Sequence, residues 1–416
     1  MRQRLVYIGL AAIYLFAILF ISFTPRQEFE LLLIGLFIAF AVWYLFLVKE
    51  PKLMFVLVLA LLARLSFFLA LPLLSDDFYR FIWDGQLFLE GLNPIGKIPT
   101  EISLDLPNEG TLLEQMNSRD YPSVYPPLHQ IGMAFGALFD NFLTQVNGMR
   151  VFIILCEALA LGYFWRYSKT LLGLYCLYLL NPLVIVEGVG NVHFEAALLP
   201  FLAIAIDQAR QSKANGASVS FGLAVLLKLN PLILVPAFFK EEKGMRIVAI
   251  TGLVVLLGFA PFIGGVVDSF GGIGLFFRNF EFNASIYYVL SEIGQAALGY
   301  NPISILGPAS GVVSALLILA VGFSQAELKE KALLIYLIFL LFSSTVHPWY
   351  IIPVAYLSLL TDRKAILIWS FTAFFSYSHY LDELEPKYSW LIGEYVLLFL
   401  AIIYEYRRRP IQLFRG

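Results

Sequence analysis

Charge is what this sequence has least of. Asp, Glu, Lys and Arg make up 14% of its 416 residues, and hydrophobic residues make up 60%, whereas soluble domains run near a quarter charged and half apolar. With a mean hydropathy of +0.79, the imbalance excludes a soluble core. The net charge of -2 and the absence of any basic block interleaved with aromatics outside the helix ends exclude nucleic acid as a partner. Cysteine is nearly missing as well. Cys156 and Cys176 each sit within an apolar run as small apolar residues, and they indicate neither a redox role nor a compartment. No Walker loop, dinucleotide fingerprint, HExxH or cysteine-based metal site occurs, which argues against a nucleotide-driven pump. No cofactor is expected, and a divalent metal is not indicated.

What the chain has in quantity is apolar runs of membrane-spanning length. They fall near residues 4–24, 29–48, 53–74, 147–165, 170–187, 193–209, 245–263, 304–323, 331–346, 348–361, 364–380 and 390–405. The expectation is an all-α, polytopic transmembrane protein, a single domain over 1–416, with about 12 spanning helices. The N-terminal run is longer than the ~7 to 15 residues of a signal-peptide core and lacks a small-residue cleavage site, so it reads as the first membrane helix.

Lysine and arginine in short loops set the orientation, because they are retained on the cytoplasmic side. Arg2, Arg4, Lys49, Lys52, WRYSK at 165–169 and RQSK at 210–213 fall on that side, with EEKGMR, LKEK, TDRK and the terminal YRRRP. The path expected is multi-pass in the cell (inner or plasma) membrane, with both termini cytoplasmic. The outer-face loops, carrying interfacial helices, are then 75–128, the large first loop, and 264–303. One segment breaks the count: 219–240 has basic or polar sequence on both sides and Lys228-Leu-Asn-Pro231 in its centre. A broken half-helix pair meeting at Pro231 restores the path, since proline removes a backbone donor and broken helices survive where protein or a cavity surrounds them.

Several constellations could carry chemistry. Asp76 and Asp77 open the first outer loop in SDDFYRFIWDG. Adjacent carboxylates repel, and at a membrane boundary they suit a metal or an acid/base site; a helix N-cap ahead of FYRFIWDGQLFLEG is the plainer reading. YPSVYPPLHQ, 121–130, is a proline-stiffened strand placing Tyr125 and His129 near the boundary, as a sugar-stacking surface or as an aromatic belt. In NPLVIVEGVGNVHFEA, Glu187, Asn191, His193 and Glu195 gather around two glycines at a turn; ionisable groups near a bilayer usually face a cavity, though a solvated turn is the alternative. Lys228 at the helix break and His347 in SSTVHPWYIIP could meet an anion. Arg278 lies in an amphipathic aromatic stretch, FFRNFEFNASIYYVL, that reads as an interfacial helix.

In order and content these segments, from DDFYRFIWDG through GLNPI, YPPL, GNVHFEA and KLNP to HPWY, resemble the integral-membrane glycosyltransferases of the GT-C superfamily. The likeness is closest to bacterial polyprenyl-phosphate mannosyltransferases and GPI mannosyltransferases. The resemblance covers Ser75 to Pro353 and is most specific in the first loop. It implies transfer of a hexose, mannose in the relatives, from a polyprenyl-phosphate sugar donor to a lipid or glycan acceptor hydroxyl on the outer face, with inversion. Carried over by position, Asp76 or Asp77 looks like the acidic residue that activates the acceptor as general base, with Asp76 slightly preferred. Tyr79, Arg80, Tyr125, His129, Glu187, His193, Glu195, Lys228, Arg278 and His347 form the candidate substrate-binding set. A non-catalytic flippase for a lipid-linked glycan is the rival, with the same acids and bases lining a path. Only one interrupted helix and no repeat is evident, which favours the enzyme.

Overall fold

A computed structural model describes residues 2–49, 51–102, 106–266, 280–381 and 387–411. Among the described residues the secondary structure is helical throughout, and two isolated bridges, Ile95 with Ser123 and Phe282 with Thr345, take the place of strands. Helices α1 (Arg2–Ser22) and α2 (Phe29–Lys49) pack on each other, and α3 (Leu53–Leu65) runs on into a 3-10 turn. The polar stretch that follows holds α4 (Asp77–Leu89), α5 (Glu109–Gln115) and α6 (Pro127–Ala137). Then come α7 (Phe142–Tyr167), α8 (Lys169–Leu179), a π-helical segment Val184–Gly190, α9 (Glu195–Arg210), α10 (Ala214–Leu227) and α11 (Gly244–Phe259). The rest is α12 (Ile286–Leu298), α13 (Ile303–Gly322), α14 (Leu328–Phe342), α15 (Ile352–Leu360), α16 (Trp369–Thr372) and α17 (Lys387–Arg408).

Six of the described helices are long and apolar enough to cross a membrane: α1, α2, α7, α11 with its extension, α13 and α17. The chain is a multi-pass membrane protein. Helix α8 and the π-helical segment, bent by 77°, would make a seventh span. The expected count of about twelve is not confirmed, because several apolar runs do not become long helices. Residues 364–380, for example, fold as 3-10 helix Lys364–Ile368, the single turn α16 and 3-10 helix Ala373–Tyr380. Helix α9 is apolar on every side and buried along most of its length, as befits the centre of a bundle.

Broken helices free backbone carbonyls, and in an apolar interior each needs a donor. At the α8 bend the donors come from three distant side chains. Trp43 Nε1 donates to the Leu177 carbonyl at 3.0 Å, Arg64 Nη1 to that of Leu179 at 2.8 Å, and the Tyr14 hydroxyl to that of Leu180 at 2.5 Å. Arg64 also grips Glu157 bidentately, at 2.7 and 2.8 Å. Fully buried Arg150 closes the other end of the bend by donating to the carbonyls of Val189 (3.2 Å) and Gly190 (2.6 Å), and to those of Phe67 and Ala70.

Two close approaches bring the polar stretch onto α9. A Cβ at Gly85 would lie 2.5 Å from the Met133 carbonyl oxygen, which lets α4 and α6 touch backbone to backbone. One at Gly132 would lie 2.4 Å from the Phe194 ring, so α6 seats directly on the start of α9. Helix α10 ends at Leu227; Lys228 is extended (φ -157°, ψ 143°) and a proline-bearing 3-10 helix, Asn230–Phe238, follows. The chain therefore does break at the Lys228–Pro231 segment.

Candidate active site

The segments singled out in the sequence converge where the starts of α4, α6 and α9 meet the end of α10. Asp76 and Asp77 begin α4 but have different environments. Asp76 pairs with Arg26, from the α1–α2 turn, at 2.5 Å, and the Arg26 guanidinium lies 4.3 Å from the Tyr380 ring centre. Asp77 makes no ion pair among the described residues and accepts a hydrogen bond from Asn117 Nδ2 at 3.0 Å. Burial raises its pKa above the usual carboxylate value; the Asn117 bond and the nearby Lys228 charge pull it partly back. Asp76 occupies the N-cap position of α4 without a side-chain capping bond, and the Asp77 amide donates to Ser75 Oγ at 3.3 Å.

Arg80 faces inward. Its Nε donates to Asp84 at 2.8 Å and its other nitrogens to the carbonyls of Ser118, Tyr121 and Lys97. Its donors are thus engaged in gathering the polar stretch around α4, where Asp84 in turn accepts from Ser123 and Gln130. Tyr79 is half-buried and lies on Phe78 and edge-on to Phe142.

Just ahead of α6, Tyr125 packs on His129 of that helix with centroids 4.7 Å apart, and His129 stacks on Phe194 at 3.9 Å. His129 Nδ1 meets the Leu227 carbonyl at 3.0 Å, next to Lys228. Its buried Nε2 has no partner among the described residues.

The Glu187–Glu195 turn is buried throughout. Glu187 accepts from the Tyr377 hydroxyl at 2.8 Å and from Asn191 Nδ2 at 3.4 Å. His193 Nε2 lies 3.7 Å from Glu187, beyond hydrogen-bond reach. Val192 between them has φ 55°, a left-handed conformation that is strained for a β-branched residue and costs roughly 1–3 kcal/mol. The glycine-rich turn and its Arg150 clamp hold that strain, which aims His193 and Glu195 inward. Glu195 forms a short ion pair with Lys228, whose Nζ is also 5.4 Å from the Tyr350 ring centre.

His193 also begins a stack of rings. It lies on Trp349 at 3.6 Å, Trp349 on His347 at 4.3 Å, and His347 on Phe282 at 4.7 Å, which His379 meets at 4.9 Å. Burial, with Lys228 adding to it, lowers the His347 pKa to about 3, and the same two causes hold His129 well below its ordinary value. Both imidazoles are neutral at pH 7 and offer hydrogen bonds and ring faces rather than charge. The chain has four histidines, and all four stand around this site.

The structure thus brings together Asp76, Asp77, Tyr125, His129, Glu187, His193, Glu195, Lys228 and His347, and it turns Arg80 into the packing of the loop. Arg278 lies outside the described residues. Sequence reasoning missed Arg26, Asn117 and Tyr377. The first had a signal, since in the path expected from the basic loops an arginine between the first two spans falls on the face that should be poor in basic residues. No group of His, Cys, Asp and Glu among the described residues is arranged to hold a metal ion.

The family model described as alpha-(1->6)-mannopyranosyltransferase, N-terminal domain, matches residues 16–240, more than half of the 416 residues. That span includes every candidate site residue except Arg278 and His347. No curated protein matches the chain.

Proposed function

The chain belongs to the alpha-(1->6)-mannopyranosyltransferase family, and from that premise we propose that it moves mannose from a polyprenyl-phosphate donor to an acceptor hydroxyl on the outer face of the membrane, with inversion. Two further features go with this reading. An α product formed with inversion requires a donor whose mannose is β-linked to phosphate, and a 1->6 linkage requires as nucleophile the primary 6-hydroxyl of a sugar acceptor. Both termini are then cytoplasmic, a path that the basic loops support.

The observation that carries this reading is the inequality of the two adjacent aspartates. Asp76 is paired with Arg26, whereas Asp77, without a paired cation, is kept basic by burial. A carboxylate in that state can take the proton from the acceptor hydroxyl as the new C–O bond forms and the bond to phosphate breaks. The phosphate leaves as a stabilised anion, so no second acid is needed to protonate it, unlike the leaving group in glycoside hydrolysis. Lys228, at the helix break, is the cation placed to meet that anion once the phosphate competes with Glu195 for it. The ring stack from His193 to Phe282 supplies faces on which a sugar can lie.

The test uses purified protein with a labelled polyprenyl-phosphate mannose and a mannoside acceptor. The expected result is acceptor-dependent release of polyprenyl phosphate and an α-linked product. Movement of the donor across a vesicle membrane without release would instead establish a flippase, and overturn the proposal.

A further inference from the structure

Helix α17 is long and apolar enough to cross the membrane, yet it carries a fully buried carboxylate, that of Glu394. No cation pairs with it among the described residues. Its two oxygens accept instead from neutral donors, Trp369 Nε1 of α16 at 2.8 Å and Asn283 Nδ2 at 3.1 Å. A buried acid is costly in such a helix, and a leucine would suit the apolar run better. What the carboxylate adds is a pair of fixed acceptors. We propose that Glu394, acting through Asn283, is a positioning residue that holds Phe282 as the face on which the acceptor sugar lies.

Asn283 is buried and left-handed, with φ 48°. Glu394 takes its side-chain amide, and Tyr395, the next residue of α17, donates its hydroxyl to the Asn283 carbonyl at 2.5 Å. One residue earlier, Phe282 is paired with 344–346: its amide donates to the Ser344 carbonyl at 3.0 Å and its carbonyl accepts from the Val346 amide at 2.8 Å. The bridge fixes one edge of this short segment, and Glu394 with Tyr395 fixes the other. Helix α17 thereby sets how the Phe282 ring meets His347, 4.7 Å away at the end of the ring stack.

The two ends of that stack face different chemistry. At the His193 end, Glu195 pairs with Lys228, the cation assigned to the donor phosphate. At the Phe282 end, the Tyr380 ring lies 6.4 Å from Phe282, and the same ring lies 4.3 Å from the Arg26 guanidinium that pairs with Asp76. Asp77, the proposed base, is the next residue. The stack therefore runs from the phosphate cation toward the base. The sugar that yields its hydroxyl proton to Asp77 is the acceptor, so the Phe282 face serves the acceptor and not the donor.

The experiment compares the full chain with Glu394→Leu, Asn283→Gly and Glu394→Gln in detergent. Acceptor and donor KM, kcat, and hydrogen exchange at the Phe282 and Val346 amides are measured. Asn283→Gly keeps the left-handed backbone and removes only the side-chain bond, which guards against a folding defect in Glu394→Leu. Both should raise the acceptor KM roughly three- to tenfold, the worth of a well-placed ring face, with donor KM and kcat within about twofold. Exchange at the two amides should quicken about tenfold, the worth of a hydrogen bond to a carboxylate. Glu394→Gln should match the parent. Its oxygen can take the Trp369 N–H, and its amide can donate to Asn283 Oδ1, which has no partner among the described residues, once the Asn283 amide turns over. An unchanged acceptor KM in Asn283→Gly, or a fall in kcat with both KM values unmoved, overturns the positioning role, and parent-like exchange in both variants overturns the anchor. Because the assignment of Phe282 to the acceptor rests on the mannosyl-transfer reading, a parent that transfers no mannose defeats that reading by itself, and exchange alone then decides whether Glu394 anchors the segment.

Discussion

Arg26 holds Asp76 at 2.5 Å, and that single contact makes two neighbouring carboxylates chemically different. The Asp76 oxygen that meets Arg26 is taken up by that guanidinium and is not free to meet an acceptor hydroxyl. Asp77, one residue on, has only the neutral Asn117 as a side-chain donor and keeps its basicity. We therefore propose Asp77 as the base, where the sequence slightly favoured Asp76.

Asp77→Asn should therefore lower turnover by about 10²- to 10⁴-fold, the usual worth of a general base, while donor binding stays near the parent's. Asp76→Asn should cost much less, because it removes a partner of Arg26 and not the proton acceptor. Single-turnover kinetics with separately measured donor affinity would check this, and the reverse ranking of the two variants would return the role to Asp76.

The same burial fixes a pH dependence. A base acts only when ionised, so kcat/KM should be full above the Asp77 pKa and fall as the pH drops through it. Because that pKa is raised, the fall comes at a higher pH than the ordinary aspartate value of about 3.9. Lys228 pulls the value down, so Lys228→Met should move the limb further up in pH. Stability runs the other way. A carboxyl with a raised folded pKa costs stability at every pH above it and nothing below the unfolded value. Asp77→Asn should therefore raise the Tm at neutral pH, with the gain vanishing in acid.

Local pattern made much of this architecture legible. Apolar runs announced α1, α2, α7, α11, α13 and α17, and Lys228-Leu-Asn-Pro231 announced the end of α10, because length, hydropathy and proline act within one segment. The site segments were visible as polar residues out of place in apolar sequence. What stayed hidden was pairing across long separations: Arg26 with Asp76, Tyr377 with Glu187, Arg150 with four carbonyls. Pro182, which has no amide to donate, marks the bend within Leu177–Gly190, but the donors that permit it, Trp43, Arg64, Tyr14 and Arg150, stand far off in the chain. An apolar run states that a segment is buried, and its tertiary partners satisfy the carbonyls that a break leaves free.

That dependence is testable at Arg64 and Glu157, each 3% exposed. Removing one partner strands a buried charge, so Arg64→Met or Glu157→Gln should each cost about 3–5 kcal/mol. The double variant Arg64→Met/Glu157→Gln should recover part of the loss, since no charge is stranded. It should stay below the parent because the Ala60 and Leu179 carbonyls lose their donor. Thermal denaturation of the four proteins closes the cycle, and additive losses would show that the pair is not coupled.

The last prediction concerns which group holds the donor phosphate. Burial and the nearby Lys228 keep the imidazoles of His129 and His347 neutral at pH 7, so neither brings a charge to the phosphate. Lys228→Ala alone would be hard to interpret, because it leaves the buried Glu195 carboxylate without its partner and destabilises the site for that reason. The informative variant is Lys228→Ala/Glu195→Gln, which removes both charges together. It should fold with a Tm near the parent's yet raise the donor KM by roughly ten- to a hundredfold, the worth of a charge-assisted bond to phosphate. His347→Phe keeps a ring between Trp349 and Phe282 and should leave the donor KM within about twofold, because stacking is retained and no charge is lost. If instead His347→Phe weakens donor use as much as the Lys228 variant does, the imidazole itself grips the phosphate, and the assignment of that role to Lys228 fails.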